Sequence, residues 1–421
     1  MPKILIISSV DPTKSAGTVA MNFYKALKAA GMETDFLTKY RVKGHPEFLH
    51  VMSKERGSLV GFLMRKLSRV RSKYLHQKGN HSFDYVKEDQ PPIPVDMVTC
   101  KIKKQYDAVF IVFWYQLLSY KTVEAIYDKL HCQIHLRCPD NQPIAGGCHF
   151  IGQCPRLSEG CGQCPGWEKE YDFTADNIVY RRRVIEKVKP YIYGNTHMQQ
   201  IYRRSALLKD YDRLITAYPL VDNDFFHPVG KAPEFKDKFV MFFGCTILNE
   251  ERKGMKYLIK ALEIFRQGLS AEECSRILLL VAGHKTSQVL PLLPFQYIKL
   301  GYVSMEDLAS AYNNADVYLS PSIDDAGPSM VNQAISCGTP VVAFEIGTAI
   351  DMIKGHNTGY CAKVADARDF AAGIRKIYDA SAEEYAAMSK ECRELALERT
   401  TPEAFVKNLN DLLPGRTEVT R

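Results

Sequence analysis

The chain has 421 residues, of which 46% are hydrophobic and 24% are charged, and its formal net charge is +7. This length exceeds what one hydrophobic core usually organises, so we expect two domains. The excess charge comes from segment 52–78, where eight Lys or Arg residues oppose one Glu. The charge-balanced remainder argues against a general nucleic-acid binder.

The start of the chain predicts a strand rather than an export signal. Residues 1–12 contain only the short apolar run 4–7 and lack a small-residue cleavage site. No apolar stretch approaches the roughly 18 residues that span a bilayer. We therefore expect a cytoplasmic protein whose twelve cysteines are thiols or metal ligands rather than disulfides.

Short apolar runs alternate with stretches of helical periodicity in both halves of the chain. In the first half the predicted strands are 3–9, 108–113, 133–136 and 214–217, with helices that include 18–31, 122–130 and 174–187. In the second half the predicted strands are 239–243, 277–282, 317–319 and 340–344, with helices at 255–265, 305–313, 328–337, 367–378, 382–397 and 401–413. This alternation is typical of α/β proteins with doubly wound parallel sheets.

The breaker-rich stretch 219–233 separates the two halves. We predict an N-terminal Rossmann-like domain over 1–220, a linker over 221–236 and a C-terminal Rossmann-like domain over 237–400. A final helix within 401–421 should return to the N-terminal domain. Two such domains that face a central cleft would bind ligands beyond the carboxyl ends of their strands.

Segment 320–344 contains a strand end, a glycine turn and the start of a helix. This pattern can bind a diphosphate without metal, but it also occurs at ordinary strand-to-helix connections that bind nothing. The complete string resembles the E-x7-E region of family four retaining glycosyltransferases, which have the GT-B fold. Asp325 and Gln333 stand at its two acidic positions, and residues 337–342 continue the motif. The resemblance extends to 301–303 and 315–317.

In that family the first acidic residue contacts the transferred sugar, the second holds the ribose, and amides between them touch sugar and phosphate. The resemblance thus implies that Asp325 is catalytic and that the donor contacts Gly17, Thr18, Tyr302, Gly327, Pro328, Ser329, Met330 and Gln333. At the first acidic position Asp325 has a shorter side chain than the family's Glu, and at the second Gln333 lacks the charge of the family's Glu. The alternative is a solvated helix start that these polar residues merely cap.

A basic pair precedes the helix predicted at 255–265. Lys253 matches the family lysine, and Arg252 is the candidate replacement for an arginine that the family carries where this chain has Cys245 and Thr246. Both would neutralise the leaving diphosphate. An ordinary salt-bridged surface turn is the alternative interpretation.

Segment 139–150 resembles, more loosely, a His-Asp-x-Trp-x-x-x-Gly-Gly-Cys-His stretch of bacterial polysaccharide glycosyltransferases. Pro139 and Gln142 replace its leading His and its Trp, whereas the chain keeps Asp140, Gly146, Gly147, Cys148 and His149. Asp140 is therefore the candidate contact for the acceptor hydroxyl. An Asx-type turn residue is the alternative.

The loop 138–167 gathers four cysteines, Cys148, Cys154, Cys161 and Cys164. Four thiolates in a loop rich in Gly and Pro predict a structural zinc site, with His149 and Cys138 as substitute ligands. Free thiols or a regulatory disulfide are the alternatives. Four thiolates would leave no open position, so we expect no catalytic metal.

Segment 52–78 spaces apolar and basic residues as an amphipathic helix does, which suits either an anionic membrane surface or packing against a core. The leading hypothesis is a retaining glycosyltransferase that uses a nucleoside-diphosphate sugar, at most peripheral to the membrane. Its acceptor would be a saccharide, lipid-linked as in related enzymes, within cell-surface polysaccharide biosynthesis. The alternatives are an epimerase or phosphorylase type of enzyme, and a catalytically idle sugar-nucleotide-binding subunit.

Overall fold

The computed structural model describes residues 2–13, 17–52, 86–137, 140–167 and 171–413. The chain divides into two compact units, each of which is built on one sheet. The first unit comprises residues up to Gly194, Met198–Leu220 and the chain from Pro402 onward. The second comprises Asn195–His197 and Val221–Thr401.

The first unit contains a seven-stranded parallel sheet in the order β3-β2-β1-β4-β5-β6-β7. Its strands are β1 (Lys3–Ser8), β2 (Glu33–Tyr40), β3 (Leu49–Met52), β4 (Ala108–Phe113), β5 (Gln133–Arg137), β6 (Tyr191–Gly194) and β7 (Leu214–Thr216). Residues 4–7 of the central β1 are fully buried. Burial on both faces explains why these runs are continuously apolar rather than alternating.

Helices cover the first sheet along the described chain. They are α1 (Thr18–Ala29), α2 (Val95–Thr99), α3 (Tyr120–Leu130), α4 (Arg156–Glu159), α5 (Thr174–Val188) and α6 (Thr196–Arg204), of which the first two residues belong to the second unit. The last helix, α14 (Pro402–Asn410), also belongs to the first unit. The ring of Phe405 on α14 contacts that of Phe23 on α1 edge-on, with 4.6 Å between centroids. The C-terminal helix thus completes the core of the first unit.

The second unit contains a six-stranded parallel sheet in the order β10-β9-β8-β11-β12-β13. Its strands are β8 (Phe239–Ile247), β9 (Ile277–His284), β10 (Gln296–Gly301), β11 (Val317–Ser320), β12 (Val341–Phe344) and β13 (Gly359–Ala362). Its helices are α7 (Met255–Gln267), α8 (Ala271–Ser275), α9 (Met305–Asn314), α10 (Ser329–Ser336), α11 (Ala349–Met352), α12 (Ala367–Tyr378) and α13 (Ala382–Arg399). One apolar cluster lies on each face of this sheet.

The two parallel sheets with helices confirm the predicted α/β, doubly wound class. The structure adds strands that the apolar pattern did not indicate, namely β2, β3, β6, β10 and β13. β2 interleaves polar residues with apolar ones, and residues 296–299 of the edge strand β10 are exposed. Continuous apolar runs identify strands such as β1, β4 and β9, whereas strands in which polar, tyrosine or glycine residues interrupt the apolar ones give a weaker signal.

Candidate functional site

The strand order of the second sheet reverses between β8 and β11, which pair directly. From β8 the chain builds outward through β9 to β10 on one side, and from β11 through β12 to β13 on the other. Connections leave in opposite directions at such a switch point and open a crevice at the carboxyl ends of the strands. The loops after β8 and β11 therefore form the candidate site of this unit.

A glycine allows these two loops to pack closely against each other. The loop after β8 forms a short 3-10 helix over Glu251–Lys253 and ends at Gly254, whose φ is +67°. A Cβ atom at Gly254 would lie 1.9 Å from the carbonyl oxygen of Pro321, so no other residue fits. The Ile323 N–H also donates to the carbonyl oxygen of Arg252 at 2.8 Å, which fixes the basic pair against the loop after β11.

The basic pair and the first acidic position of the motif meet at this point. Lys253 Nζ lies 2.6 Å from Asp325 Oδ2, and Arg252 Nη1 lies 3.4 Å from the same oxygen. Arg252 also pairs with Glu250 at 2.8 Å. Burial alone would raise the pKa of Asp325, but the ammonium of Lys253 and the guanidinium of Arg252 hold that pKa below its usual value. Asp325 is thus an ionised carboxylate between two cations.

The chain from Asp325 to Pro328, which we call the donor loop, leads into α10. Asp325 Oδ1 accepts from the N–H of Gly327 at 3.2 Å. Gly347, with a φ of +56°, lies against this loop so closely that a Cβ atom there would be 2.9 Å from Pro328 Cδ. Within the described chain no side chain caps α10, which begins at Ser329. The first turn of α10 thus lacks the capping side chain that commonly binds the first amides of a helix.

The remaining predicted donor contacts of the second unit lie on neighbouring elements. Gln333 Oε1 accepts from the buried hydroxyl of Tyr312 at 3.2 Å. The ring of Tyr302, just after β10, is 58% exposed and stacks on the ring of His284 at the end of β9, with 5.2 Å between centroids. A Cβ atom at Gly244 on β8 would be 3.4 Å from Met330 Cε, so Met330 reaches back over the sheet.

Gly17 and Thr18 belong to the first unit, where they begin α1 after β1. A Cβ atom at Gly17 would lie 2.0 Å from the carbonyl oxygen of Asp11, which explains the glycine at this turn. The loops after β1 and β4 flank the reversal of strand order in the first sheet, because these two strands pair. Gly17 is therefore at the corresponding switch point of its own unit.

Asp140 follows β5 in the first unit and makes two local contacts. Its Oδ2 lies 2.7 Å from Nδ1 of His149, and its Oδ1 accepts from the N–H of Gln142 at 2.9 Å, so the Asx-turn geometry is also present. The ring of His149 meets the half-exposed ring of Tyr115 edge-on at 5.2 Å. The geometry thus joins a carboxylate, an imidazole and an aromatic ring beside the sheet.

The loop that carries Asp140 is held by a buried ion pair. Arg181 Nη2 lies 2.6 Å from Glu88 Oε1, and both side chains are almost fully buried. Arg181 also donates to the carbonyl oxygens of Gln142 and Ala145. A guanidinium with this many fixed acceptors holds the loop in one conformation.

The four cysteines of the loop line one small cavity of about 20 Å³. The thiols of Cys148 and Cys164 are hydrogen-bonded, and the amide of Gly146 donates to Cys161 Sγ at 3.3 Å. Among the residues that the structure describes, no group of three or more His, Cys, Asp or Glu side chains is arranged to hold a metal ion. The structure thus places the four thiols around one cavity, and the zinc site stays a prediction.

Two residues at the strand ends were not indicated by the sequence. His284, which stacks on Tyr302, ends β9, and its position after an apolar run was the available signal. Asn195 follows β6 and contacts the donor loop, and it was missed because β6 itself was missed. Burial raises the pKa of Cys245 to about 11, so this thiol is neutral.

Some predicted features fall outside the described residues. These are Cys138, Pro139 and segment 52–78 beyond Met52. Helices long and apolar enough to cross a membrane are not found among the described residues.

Two parallel-sheet Rossmann-like units, with the second site at a switch point, define the GT-B fold. The whole chain aligns in structure with sucrose-phosphate synthase from Thermosynechococcus elongatus, with a TM-score of 0.64, 17% identity and 98% coverage of both chains. It aligns likewise with HepE from Anabaena, solved with UDP and glucose, with a TM-score of 0.60, 12% identity and coverage of 98% and 99%. At these identities the likeness establishes the fold.

The sequence of the second unit is similar to that of known glycosyltransferases. Residues 230–395 match the family described as "Glycosyl transferases group 1". A D-inositol 3-phosphate glycosyltransferase from Pseudarthrobacter chlorophenolicus is 29% identical over 207 residues, which cover 45% of this chain and 47% of the relative. The match thus spans about half the length of this curated relative. The residues that match the family, 230–395, all lie within the second unit.

Proposed function

We propose that this protein is a retaining glycosyltransferase, which binds a nucleoside-diphosphate sugar in its second unit and a saccharide acceptor in its first. The match of residues 230–395 to the group 1 family and the curated glycosyltransferase relative support the reaction class. The structural likeness to HepE, which was solved with UDP and glucose, supports a nucleoside diphosphate as the donor's leaving group.

The observation that carries the proposal is the meeting of Lys253, Arg252 and Asp325 beside the uncapped start of α10. Departure of a nucleoside diphosphate develops negative charge on the leaving oxygen, which two cations and helix amides stabilise. The ammonium of Lys253 has three N–H donors, so it can hold the Asp325 carboxylate and a phosphate together. This arrangement needs no metal ion to neutralise the leaving group.

In the proposed reaction the sugar's anomeric carbon loses the diphosphate oxygen and gains the acceptor oxygen on the same face. The leaving phosphate oxygen takes the proton of the acceptor hydroxyl, which balances the transfer. Asp325, ionised between its two cations, contacts the transferred sugar together with the amides of the donor loop.

The rest of the donor has candidate contacts in the same unit. The exposed ring of Tyr302, held flat by His284, suits the nucleobase. Gln333 accepts from Tyr312 through its Oε1, which directs its NH2 group as a donor toward the ribose. A neutral amide can replace a carboxylate here, because ribose hydroxyls both donate and accept hydrogen bonds.

The acceptor assignment rests on the first unit. Asp140, paired with His149 beside the exposed ring of Tyr115, offers a polar contact and an aromatic surface of the kind that saccharides meet. A lipid-linked acceptor, a role in polysaccharide synthesis and peripheral attachment through segment 52–78 belong to the same proposal. Flotation of the protein with vesicles of anionic lipid, but not with neutral vesicles, tests the membrane part.

A thermal-shift panel of nucleotide sugars tests the function. A ligand that binds the folded protein raises its midpoint of unfolding, so UDP, GDP or ADP sugars should stabilise the protein selectively. The best ligand is then tested for transfer to saccharide acceptors. A panel without any stabilising nucleotide would contradict the proposal.

A catalytically idle nucleotide-sugar-binding subunit is the second candidate. It is favoured by the neutral Gln333 and by the neutral thiol of Cys245 in the place of a family arginine. Calorimetry that shows nucleotide binding, with neither hydrolysis nor transfer for any donor, would establish it. Donor consumption without an acceptor would instead indicate an epimerase or phosphorylase type of reaction.

A further inference from the structure

We propose that Asn195 is a positioning residue for the donor sugar, because it holds the donor loop in its binding conformation. The inference rests on the proposed function and adds a residue that no motif of the sequence indicates. Asn195 lies in the three-residue segment 195–197, which belongs to the second unit although Gly194 and Met198 on either side belong to the first.

The contact is direct and buried. Asn195 is 4% exposed, and its Nδ2 donates to the carbonyl oxygen of Ala326 at 2.6 Å. Ala326 stands between Asp325 and Gly327 in the donor loop. A hydrogen bond to this carbonyl fixes the peptide plane whose other end is the N–H of Gly327, the group that Asp325 Oδ1 accepts. Asn195 thereby orients both the amide and the carboxylate that face the sugar.

The sequence at Gly327 agrees with this role. A Cβ atom at Gly327 would lie 2.8 Å from Asn195 Nδ2, closer than a carbon and a nitrogen approach without bonding. Glycine therefore allows the amide of Asn195 to reach the loop. On the other side, Gly347 contacts Pro328 and Gly327, so the loop is held between Asn195 and Gly347.

Asn195 is itself anchored through its neighbour. Asp351, 8% exposed on α11, accepts from the N–H of Thr196 at 3.2 Å and from the hydroxyl of Thr196. The carboxylate thus binds the first amide of α6, where negative charge is favourable. Arg399 donates to the carbonyl oxygen of the same Asp351. The segment is therefore fixed by contacts that do not involve the donor loop.

The test compares binding of a nucleotide sugar with binding of its nucleoside diphosphate. In Asn195→Asp the side chain keeps its size but loses the N–H donor and repels the Ala326 carbonyl. Calorimetry should show about tenfold weaker binding of the nucleotide sugar, which is the effect expected when one hydrogen bond is lost. Binding of the diphosphate should be unchanged. The probes are the member of a UDP-, GDP- and ADP-glucose panel that the wild type binds most tightly, and its diphosphate.

Asn223→Asp is the matched control. Asn223 is also buried in the second unit and donates to the carbonyl oxygen of Val221 at 3.1 Å, but it contacts no residue of the donor loop among its described hydrogen bonds. This variant should keep both affinities. Equal affinities of Asn195→Asp and wild type for the nucleotide sugar, or a loss shared with the diphosphate, would overturn the inference.

Thr196→Val keeps the amide of Asn195 and removes one anchor to Asp351, so it carries the test if Asn195→Asp does not fold. It should weaken nucleotide-sugar binding about threefold, with the diphosphate unaffected, and no change would again overturn the inference. A wild-type protein that binds no member of the panel would instead overturn the proposed function, and this inference with it.

Discussion

Each unit contains an ion pair beside the loops that follow its strands, and the two pairs differ in their burial and in their other partners. In the first unit Arg181 also binds two carbonyl oxygens, and its partner Glu88 accepts from the N–H of Tyr120 at 2.6 Å. In the second unit Lys253 and Asp325 lie at the crevice edge, 15% and 13% exposed. The first pair is committed to holding a loop, whereas the second can share its cation with a ligand.

Substitution of Arg181 should strongly destabilise the first unit. In Arg181→Met the buried carboxylate of Glu88 loses its counter-charge, and removal of one partner of a buried pair typically costs about 3–5 kcal/mol in the free energy of unfolding. Urea unfolding measures this loss. Arg183→Met on the same helix is the control, because Arg183 is 54% exposed and its pair with Glu124 should contribute less than about 1 kcal/mol. Equal losses in both variants would contradict the structural role of Arg181.

Removal of Lys253 should leave the fold intact and abolish most of the turnover. In Lys253→Ala the leaving diphosphate loses a cation that stabilises its developing charge, so kcat should fall by about 100- to 1000-fold. Steady-state kinetics with the best donor measures this fall. Lys260→Ala on α7 is the matched control, because Lys260 is 60% exposed and pairs only with Glu263 among described partners. Unchanged turnover in Lys253→Ala would refute the phosphate assignment.

Neutralisation of Asp325 should produce a pH-dependent loss of stability. Its pKa is lower in the folded than in the unfolded protein, so its contribution is present above the unfolded pKa, near 4, and disappears as the pH falls through the folded value. Asp325→Asn should therefore lower the free energy of unfolding at pH 7 by about 1.5–3 kcal/mol and by less at pH 3. Urea unfolding at both pH values checks this.

Asp379→Asn serves as the control for that measurement. Asp379 is 49% exposed and pairs with Arg375 on the surface, so its loss should cost less than about 1 kcal/mol. A deficit in Asp325→Asn that is the same at pH 3 as at pH 7 would mean that the ionised carboxylate adds nothing through its two cations.

The second unit could be predicted from the sequence in more detail than the first. Its helix over Ala367–Tyr378 and the position of α10 follow from periodicity, and Lys253 and Asp325 were each singled out by a motif. Their ion pair was found only in the structure. The contact of Asn195 with Ala326 could not be predicted, because it joins residues 131 positions apart without a shared pattern. Hydrophobic periodicity places strands, but loop contacts depend on tertiary packing.

The smallest expected effect concerns the cysteine loop of the first unit, where the thiols of Cys148 and Cys164 are hydrogen-bonded to each other. The hydrogen bond from Cys148 lowers the pKa of Cys164 to about 7, whereas the same bond and burial raise the pKa of Cys148. In metal-free protein the alkylation of Cys164 by iodoacetamide should thus rise with a midpoint near pH 7. Peptide mass spectrometry across a pH series measures this midpoint.

Cys148→Ala provides the control, because without its hydrogen bond the midpoint of Cys164 should move upward toward the ordinary thiol value. Metal analysis of the purified protein addresses the predicted zinc. Bound zinc would keep the thiols as protected thiolates, so labelling would begin only after a chelator has removed the metal. Labelling of Cys164 that is equally fast in both variants would show that Cys148 does not set its ionisation, and would leave Cys164 as an ordinary thiol of the loop.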